Sequence, residues 1–133
     1  MNTFFRICSG IRQGGILSPS LFAVYVDDLL LKLSESKRGC FLKLLCLNSI
    51  MYADDLILLS ICIADLQYLV DFCVEEFKAI GLALNINKTA CMRVGARYAF
   101  SALPIAVGTQ RLAWVNELSY LGIKLLSGKK IQC

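Results

Sequence analysis

The sequence decides its fold between residues 41 and 62, FLKLLCLNSIMYADDLILLSIC. Two apolar runs, residues 41–52 and 56–62, flank the tripeptide Ala53-Asp54-Asp55. Aspartate is common in turns and disfavoured in strands, whereas the flanking runs suit buried strands. We therefore predict two antiparallel strands joined by a hairpin whose tip is Ala53-Asp54-Asp55.

Helical periodicity appears on both sides of this hairpin. Ser18-Pro19 is a favourable helix start, since serine accepts hydrogen bonds from free amides and proline suits the first helical position. The pattern predicts one helix from there to about residue 35 and a second at residues 65–80, ended by Gly81. Their apolar stripes are Leu21, Phe22, Tyr25, Leu29 and Leu33 in the first helix, and Leu66, Leu69, Val70, Cys73, Val74, Phe77 and Ile80 in the second.

The remaining segments read as short strands and loops. We predict strands at residues 3–8 and 89–94, a last strand pair within residues 111–126, and a glycine-rich loop at residues 10–15. Hairpins rather than long crossovers connect most of the strands. The order therefore predicts one α/β (α+β) unit, with a mostly antiparallel sheet and helices packed on one face.

Composition narrows the class of protein. Hydrophobic residues make up 57% of the chain, but Lys43 and Asp54 interrupt the apolar run before it could span a membrane. Neither a transmembrane helix nor a signal peptide is expected. The net charge of +4 suits a polyanionic partner without demanding one. Seven scattered cysteines, without histidine or a C-x-x-C spacing, disfavour a zinc site and suit a reducing, intracellular compartment such as the nucleus or cytoplasm.

Tyr52-Ala53-Asp54-Asp55 is the strongest candidate for chemistry. Carboxylates held at the tip of a rigid hairpin can bind hard divalent cations, as two-metal phosphoryl transfer requires. The alternative is an ordinary polar turn, in which Asp-Asp has no chemical role. The tetrapeptide alone leaves both interpretations open.

Four blocks in order resemble motifs B, C, D and E of reverse transcriptases. They are GIRQGGILSP at residues 10–19, YADD at 52–55, GLALNINKT at 81–89 and LSYLGI at 118–123. The match is closest to the LINE-type, non-LTR retrotransposon enzymes and covers nearly the whole chain. The resemblance implies a polymerase palm subdomain, a magnesium-dependent RNA-directed DNA polymerase, and a nucleic-acid template with primer and deoxynucleotides as partners.

The resemblance also implies roles for individual residues. Asp54 is expected to bind the catalytic Mg²⁺ ions, and Asp55 to be the adjacent carboxylate. Arg12, Gln13 and Gly14 are expected to contact the templating base and the incoming nucleotide.

Five further residues take roles from the same resemblance. Lys88 is expected near the departing pyrophosphate, where a protonated amine can act as general acid. Its alternative is a solvated lysine in an asparagine-rich loop. Tyr52 is expected to contact substrate or template. Tyr120, Leu121 and Gly122 are expected to form the hairpin that holds the primer end, with a plain edge hairpin as the alternative.

A second tetrapeptide, Tyr25-Val26-Asp27-Asp28, has the same Tyr-x-Asp-Asp form. It falls within the first predicted helix, so its aspartates are expected to be ordinary polar positions. We predict that Asp54, rather than Asp27, belongs to the metal site.

One family feature is absent from the sequence. Reverse transcriptases carry another essential aspartate in motif A, upstream of the Arg-Gln-Gly loop, whereas the first aspartate here is Asp27. We therefore expect residues 1–133 to be a partial domain without motif A, fingers and most of the thumb, and inactive alone. The alternative function is a non-catalytic remnant that binds nucleic acid or a partner protein. An RNA-dependent RNA polymerase is disfavoured by Ala53, where that group usually has glycine.

Overall fold

A computed structural model describes residues 2–8, 18–96 and 101–129 of the chain. Two α-helices, a single 3-10 turn at Ile86–Lys88 and eleven short strands make up these described residues. The helices are α1 (Ser18–Glu35) and α2 (Ile63–Ala79). The strands are β1 (Asn2–Cys8), β2 (Cys40–Leu42), β3 (Leu45–Leu47), β4 (Ser49–Tyr52), β5 (Asp55–Ser60), β6 (Ala90–Val94), β7 (Ala106–Val107), β8 (Gln110–Arg111), β9 (Ala113–Trp114), β10 (Glu117–Tyr120) and β11 (Ile123–Leu126).

A five-stranded sheet in the order β4-β5-β1-β6-β9 forms the centre of the fold. Its pairs are antiparallel except for β6 with β9, which run parallel. Three two-stranded hairpins, β2-β3, β7-β8 and β10-β11, surround it in the described residues. The expectation of a mixed α/β fold with a mostly antiparallel sheet is confirmed.

Both helices pack against one face of this sheet. Leu56 and Leu58 of β5 and Cys91 of β6 are fully buried in a cluster with side chains from α1 and α2. Residues two apart on a strand share a face, so this cluster identifies the helix-bearing side. On β6 the alternate residues Met92 and Val94 pack instead with Leu118 of β10. The sheet therefore has a core on each side, and the larger one lies beneath the helices.

Helix α2 begins and ends through specific caps. The Cys62 sulfur accepts a hydrogen bond from the Asp65 amide at 3.4 Å, so the helix begins two residues before the predicted start. At the other end, the Gly81 amide donates to the Lys78 carbonyl and the Leu82 amide to the Phe77 carbonyl. These two bonds form a Schellman motif, which requires a left-handed residue that Gly81 supplies with φ of +75°. The prediction that Gly81 ends the helix is confirmed.

The prediction of one continuous strand at residues 41–52 is wrong. The run divides into β2, β3 and β4, with a tight turn at Lys43 and a break at Asn48. Lys43 adopts a positive φ of 56°, which reverses the chain. The buried Asn48 side chain donates to the carbonyls of Leu33 and Arg38 and thereby joins the strand to the end of α1. Apolar composition alone does not reveal such a reversal.

The predicted stripe of α1 is only partly correct. Leu29 and Leu33 are buried, but Leu21 is 62% exposed and Tyr25 is 43% exposed. Phe22, also in the predicted stripe, is partly buried, and so is Val26, which the stripe did not include. Phe22, Tyr25 and Val26 line a small cavity together with Phe77 and Ile80 of α2. The first half of α1 therefore faces α2 across this cavity.

The last predicted strand pair is confirmed as β10 and β11, which pair through a two-residue turn. Leu121 and Gly122 both have positive φ, 51° and 77°, as a type I′ hairpin turn requires. Gly122 therefore lies in the turn. Neither α1 nor α2 is apolar enough over sufficient length to cross a membrane, a finding that concerns the described residues.

Thiol labelling at mild alkaline pH tests this arrangement of the core. Burial raises the pKa of both Cys73 and Cys91 to about 12, whereas Cys62 is exposed. Because the thiolate is the reacting form, we expect an alkylating reagent at pH 8 to modify Cys62 rapidly and to leave the other two intact. Peptide mass mapping reads this out, with denatured chain as the control in which all three react. Equal rates for Cys62 and Cys91 in the native chain would contradict the fold.

Candidate active site

The Asp-Asp hairpin forms as predicted, with one adjustment at its tip. Tyr52 and Asp55 are the closing pair of the β4–β5 ladder, so the turn itself consists of Ala53 and Asp54. Ala53 has a φ of +50°, a left-handed conformation that permits this short reversal. Asp55 is therefore the first residue of β5 rather than part of the turn.

The two carboxylates differ in their surroundings. Tyr52 and Asp54 are exposed at the tip, whereas Asp55 is half-buried. Next along the strand, Leu56 is fully buried beneath the helices. Because neighbouring strand residues point to opposite faces, Asp55 lies on the face of the sheet away from the helices. The hairpin thus presents one carboxylate at its tip and one on the face of the sheet opposite the helices.

Strand β1 lies in the middle of the sheet, beside this hairpin. Its antiparallel register with β5 places Cys8 opposite Asp55. A cysteine, rather than a third carboxylate, therefore occupies the position next to the Asp-Asp pair. Within the described parts of the chain, no group of three or more His, Cys, Asp or Glu residues could hold a metal ion. Asp54 and Asp55 offer hard oxygen ligands, but this donor set is incomplete for a two-metal site.

Lys88 lies at the same end of the sheet as the hairpin tip. Strand β6 pairs with β1 so that Ala90 faces Arg6, and β6 therefore begins near the end of β1 that carries Cys8. The 3-10 turn before it is fixed by Asn85, whose side chain accepts a hydrogen bond from the Lys88 amide at 3.3 Å. The Lys88 side chain itself is exposed. The topology thus places the Lys88 ammonium group and the carboxylates of Asp54 and Asp55 at the same end of the sheet.

The β10–β11 hairpin presents Leu121 outward at 52% exposure, while Tyr120 is half-buried. A cross-strand ion pair of 2.9 Å joins Lys124 to Glu117 on its outer surface. Leu118 attaches the hairpin to β6. The structure therefore supports the predicted hairpin, and its proposed hold on a primer end stays a prediction.

The second Tyr-x-Asp-Asp tetrapeptide lies on α1, as predicted. Asp28 forms an ion pair with Lys32 at 2.9 Å, and Lys32 reaches Glu76 of α2 at 2.8 Å. Hydrogen bonds to Glu76 and Asp28 raise the pKa of Lys32 above its ordinary value. Asp28 thus contributes to a bridge between the two helices, and Asp27 is exposed beside it.

The structure does not describe one part of the predicted site, and it adds one position that the sequence did not indicate. Arg12, Gln13 and Gly14, expected to contact template and nucleotide, lie outside the described residues. Sequence reasoning missed the position of Cys8 opposite Asp55, although it predicted the strand that contains it. Register between distant strands has no local signal, because it depends on how the whole sheet assembles.

Comparison with known proteins identifies the family to which the chain is similar. The model of the family described as reverse transcriptase (RNA-dependent DNA polymerase) matches residues 2–125. The chain is 31% identical to the Retrovirus-related Pol polyprotein from type-2 retrotransposable element R2DM of Drosophila melanogaster, over 93% of this chain and 12% of that protein. It is 30% identical to the Retrovirus-related Pol polyprotein from type-1 retrotransposable element R2 of Popillia japonica, over 91% of this chain and 21% of that protein.

The chain belongs to the reverse transcriptase family. Its similarity to Pol polyproteins of R2 elements confirms the resemblance to non-LTR retrotransposon enzymes. The chain spans between about an eighth and about a fifth of the length of these relatives. Membership of this family implies a divalent metal cofactor and nucleic-acid and nucleotide substrates for the complete enzyme.

Proposed function

We propose that this chain forms the palm core of an RNA-directed DNA polymerase of the non-LTR retrotransposon type. The observation that carries the proposal is the Asp54-Asp55 hairpin, placed at the end of a central antiparallel sheet in a chain of this family. The substrates would be a primer annealed to an RNA or DNA template and deoxynucleoside triphosphates. Residues 1–133 would constitute part of the polymerase domain.

Asp54 and Asp55 would contribute carboxylate oxygens to Mg²⁺, a cation that prefers oxygen ligands. When bound, Mg²⁺ would neutralise charge that develops on the transferring phosphoryl group. The hairpin favours metal binding by these residues, because the paired strands hold the two carboxylates in fixed positions. A further carboxylate must come from elsewhere, since Cys8 occupies the neighbouring strand position opposite Asp55.

Lys88 would act near the pyrophosphate leaving group. Its support is its location in the 3-10 turn just before β6, at the same end of the sheet as Asp55. Tyr52, exposed at the tip, would contact substrate or template. Its ring is large, flat and accessible, which suits stacking on a base or sugar.

Other binding roles rest on the family resemblance. Arg12, Gln13 and Gly14 would meet the templating base and the incoming nucleotide. Tyr120, Leu121 and Gly122 would hold the primer end, and the type I′ turn supplies them with a rigid frame. The scattered cysteines are compatible with an intracellular location in the nucleus or cytoplasm.

A non-catalytic role in binding nucleic acid or a protein is the second candidate. The observation in its favour is the incomplete carboxylate set around Asp55. Loss of one metal ligand removes catalysis without removing the sheet or its exposed surfaces. The two candidates differ in one respect, namely whether a motif-A aspartate joins this chain.

Primer extension on an RNA template, with deoxynucleotides compared with ribonucleotides, tests the proposed function. The material is a longer polypeptide in which the upstream segment of the Drosophila melanogaster relative precedes residue 1. We expect it to extend a DNA primer on an RNA template with deoxynucleotides and Mg²⁺, and to use ribonucleotides far less. A matched Asp54→Ala variant should show no extension. Preference for ribonucleotides would contradict the proposal, and absence of extension from a folded polypeptide would favour the non-catalytic role.

A further inference from the structure

Strand β4 is an edge strand, and the edge continues into β3. In the described residues, β4 pairs with β5 on one side and has no strand on the other. A Cβ on Gly39, just before β2, would lie 2.5 Å from the Asn48 Cβ and 2.7 Å from the Leu59 carbonyl oxygen. If β2 and β5 lay on opposite sides of the β3–β4 segment, they would be roughly 10 Å apart. The close approach of Gly39 to Leu59 therefore means that β2 and β5 lie on the same side of residues 45–52. Among the described residues, no strand therefore lies on the other side of residues 45–52.

Nothing in the sequence of this open edge opposes pairing with another strand. Residues 45–52, LCLNSIMY, contain neither a charge nor a proline. Natural edge strands are usually protected by one of these devices. A tight turn lies at each end, one beginning with Lys43 and the other ending with Asp54.

The exposure pattern of this edge is symmetric about its midpoint. Leu45, Leu47, Ile50 and Tyr52 are all exposed, at 60%, 37%, 46% and 62%. Between them, the residues next in from each end are half-buried, and Asn48 at the centre is buried. The pattern therefore reads almost the same from either end.

We propose that this edge pairs with the same edge of a second copy of the chain, antiparallel and about a two-fold axis. Asn48 of each copy would lie opposite Ser49 of the other. This register places Leu45 opposite Tyr52 and Leu47 opposite Ile50 of the second copy. Every large exposed side chain on the edge then meets another, and directly opposed apolar pairs stabilise antiparallel strands.

Charge complementarity selects the same register. With Asn48 opposite Ser49, Lys43 of each copy lies opposite Asp54 of the other. Both side chains are exposed, and no ion pair within the described part of the chain involves either. A shift of two residues in either direction separates these opposite charges and leaves an apolar side chain without a partner at each end.

The backbone is compatible with this register on both sides of the central Asn48–Ser49 pairs. The residues closing the two turns, Leu45 and Tyr52, direct their hydrogen-bonding groups towards β2 and β5. The Asn48 carbonyl accepts a hydrogen bond from the Leu59 amide at 2.8 Å. The break in strand geometry at Asn48 allows β3 to pair with β2 and β4 to pair with β5 on the same side of the segment. Since these groups alternate along a strand, those of Cys46 and Met51 point outward. In the proposed register Cys46 of one copy faces Met51 of the other, so these two pairs exchange hydrogen bonds. Ser49 also points outward, whereas Asn48 is bonded to β5, so the central Asn48–Ser49 pairs contribute no ladder hydrogen bonds.

Sedimentation equilibrium of the purified 133-residue chain at low ionic strength tests the proposal. We expect a monomer–dimer equilibrium. Ile50→Lys should weaken dimerisation by at least about tenfold, because it brings two like charges close to the axis. Leu103→Lys is the matched control, since Leu103 is exposed elsewhere at 70%, and it should leave the dimer unchanged. Circular dichroism confirms that both variants are folded.

Charge reversal then tests the register. Lys43→Asp and Asp54→Lys should each weaken the dimer several-fold, and the double variant should restore it. A double variant no tighter than the singles would overturn the register. Aggregation without a defined size that Ile50→Lys does not change would contradict the dimer. A monomer at all concentrations would also contradict it, and would indicate that further polypeptide of a longer protein covers this edge. Sedimentation measures association without catalysis, so failure of the dimer and failure of the proposed function are distinguishable. In the dimer, Tyr52 and Asp54 would contact the second copy in place of substrate and Mg²⁺.

Discussion

The 133-residue chain, given Mg²⁺, deoxynucleotides and a primed template, is expected to extend no primer. Two-metal transfer needs carboxylates that converge from separate strands. Here the residue opposite Asp55 on the central strand is Cys8, and Asp54 and Asp55 are neighbours whose side chains diverge. Electrostatic stabilisation of the transition state is usually the largest catalytic contribution, so its loss should bring extension down to background.

The control for this prediction is restoration of the missing carboxylate. The same chain joined to an upstream segment with a motif-A aspartate should extend the primer, and mutation of that aspartate to asparagine should abolish extension again. Weak, salt-sensitive binding of primer–template to the 133-residue chain is compatible with the account. Extension by the 133-residue chain that disappears with Asp54→Ala would show that its carboxylate set is sufficient, contrary to our expectation.

Gly39→Ala is expected to destabilise the fold strongly. Gly39 has a φ of +111°, outside the left-handed region that other residues can enter. A Cβ there would collide with Asn48 and with the Leu59 carbonyl oxygen, at 2.5 and 2.7 Å. Asn48 is buried and bonded to the end of α1, so it cannot move away without losing those bonds. We expect a loss of about 2–4 kcal/mol in the free energy of unfolding.

Gly108→Ala is the matched control for that substitution. Gly108 also has a positive φ, +60°, but nothing lies within 4 Å of an added Cβ. Its cost should be limited to the left-handed conformation, about 1 kcal/mol. Urea unfolding followed by circular dichroism measures both variants. Equal losses for the two would mean that the close approach of Gly39 to Asn48 does not exist in solution.

The sequence predicts the parts of this fold that depend on local patterns. Alternation and helical spacing are local, so α1, α2 and the β4–β5 hairpin were predicted within a few residues. Turn chemistry at Asp54 and the left-handed Gly81 act over a few positions and were also read correctly. The family resemblance rested on four such local blocks, and the comparisons confirm it.

Features that depend on tertiary packing were not predictable. The reversal at Lys43 occurs where a single charged residue interrupts an apolar run, and one lysine does not by itself indicate a turn. The exposure of Leu21 and Tyr25, both predicted to face inward, depends on where α2 packs against α1. The register of β1 against β5, which brings Cys8 to Asp55, depends on assembly of the entire sheet. Of the three features, the β1–β5 register is the one that determines which residue lies opposite Asp55.

Comparison of the two Tyr-x-Asp-Asp tetrapeptides tests the central claim most directly. Asp54 lies at a hairpin tip and Asp27 on the surface of α1. In a longer polypeptide with motif A, primer extension should fall by about a thousandfold or more with Asp54→Asn, because a metal ligand is lost. Asp27→Asn, the matched change on the helix, should leave the rate within about twofold, since exposed substitutions change stability little. Near-normal extension with Asp54→Asn, together with loss of extension by a folded Asp27→Asn variant, would contradict the assignment of the site.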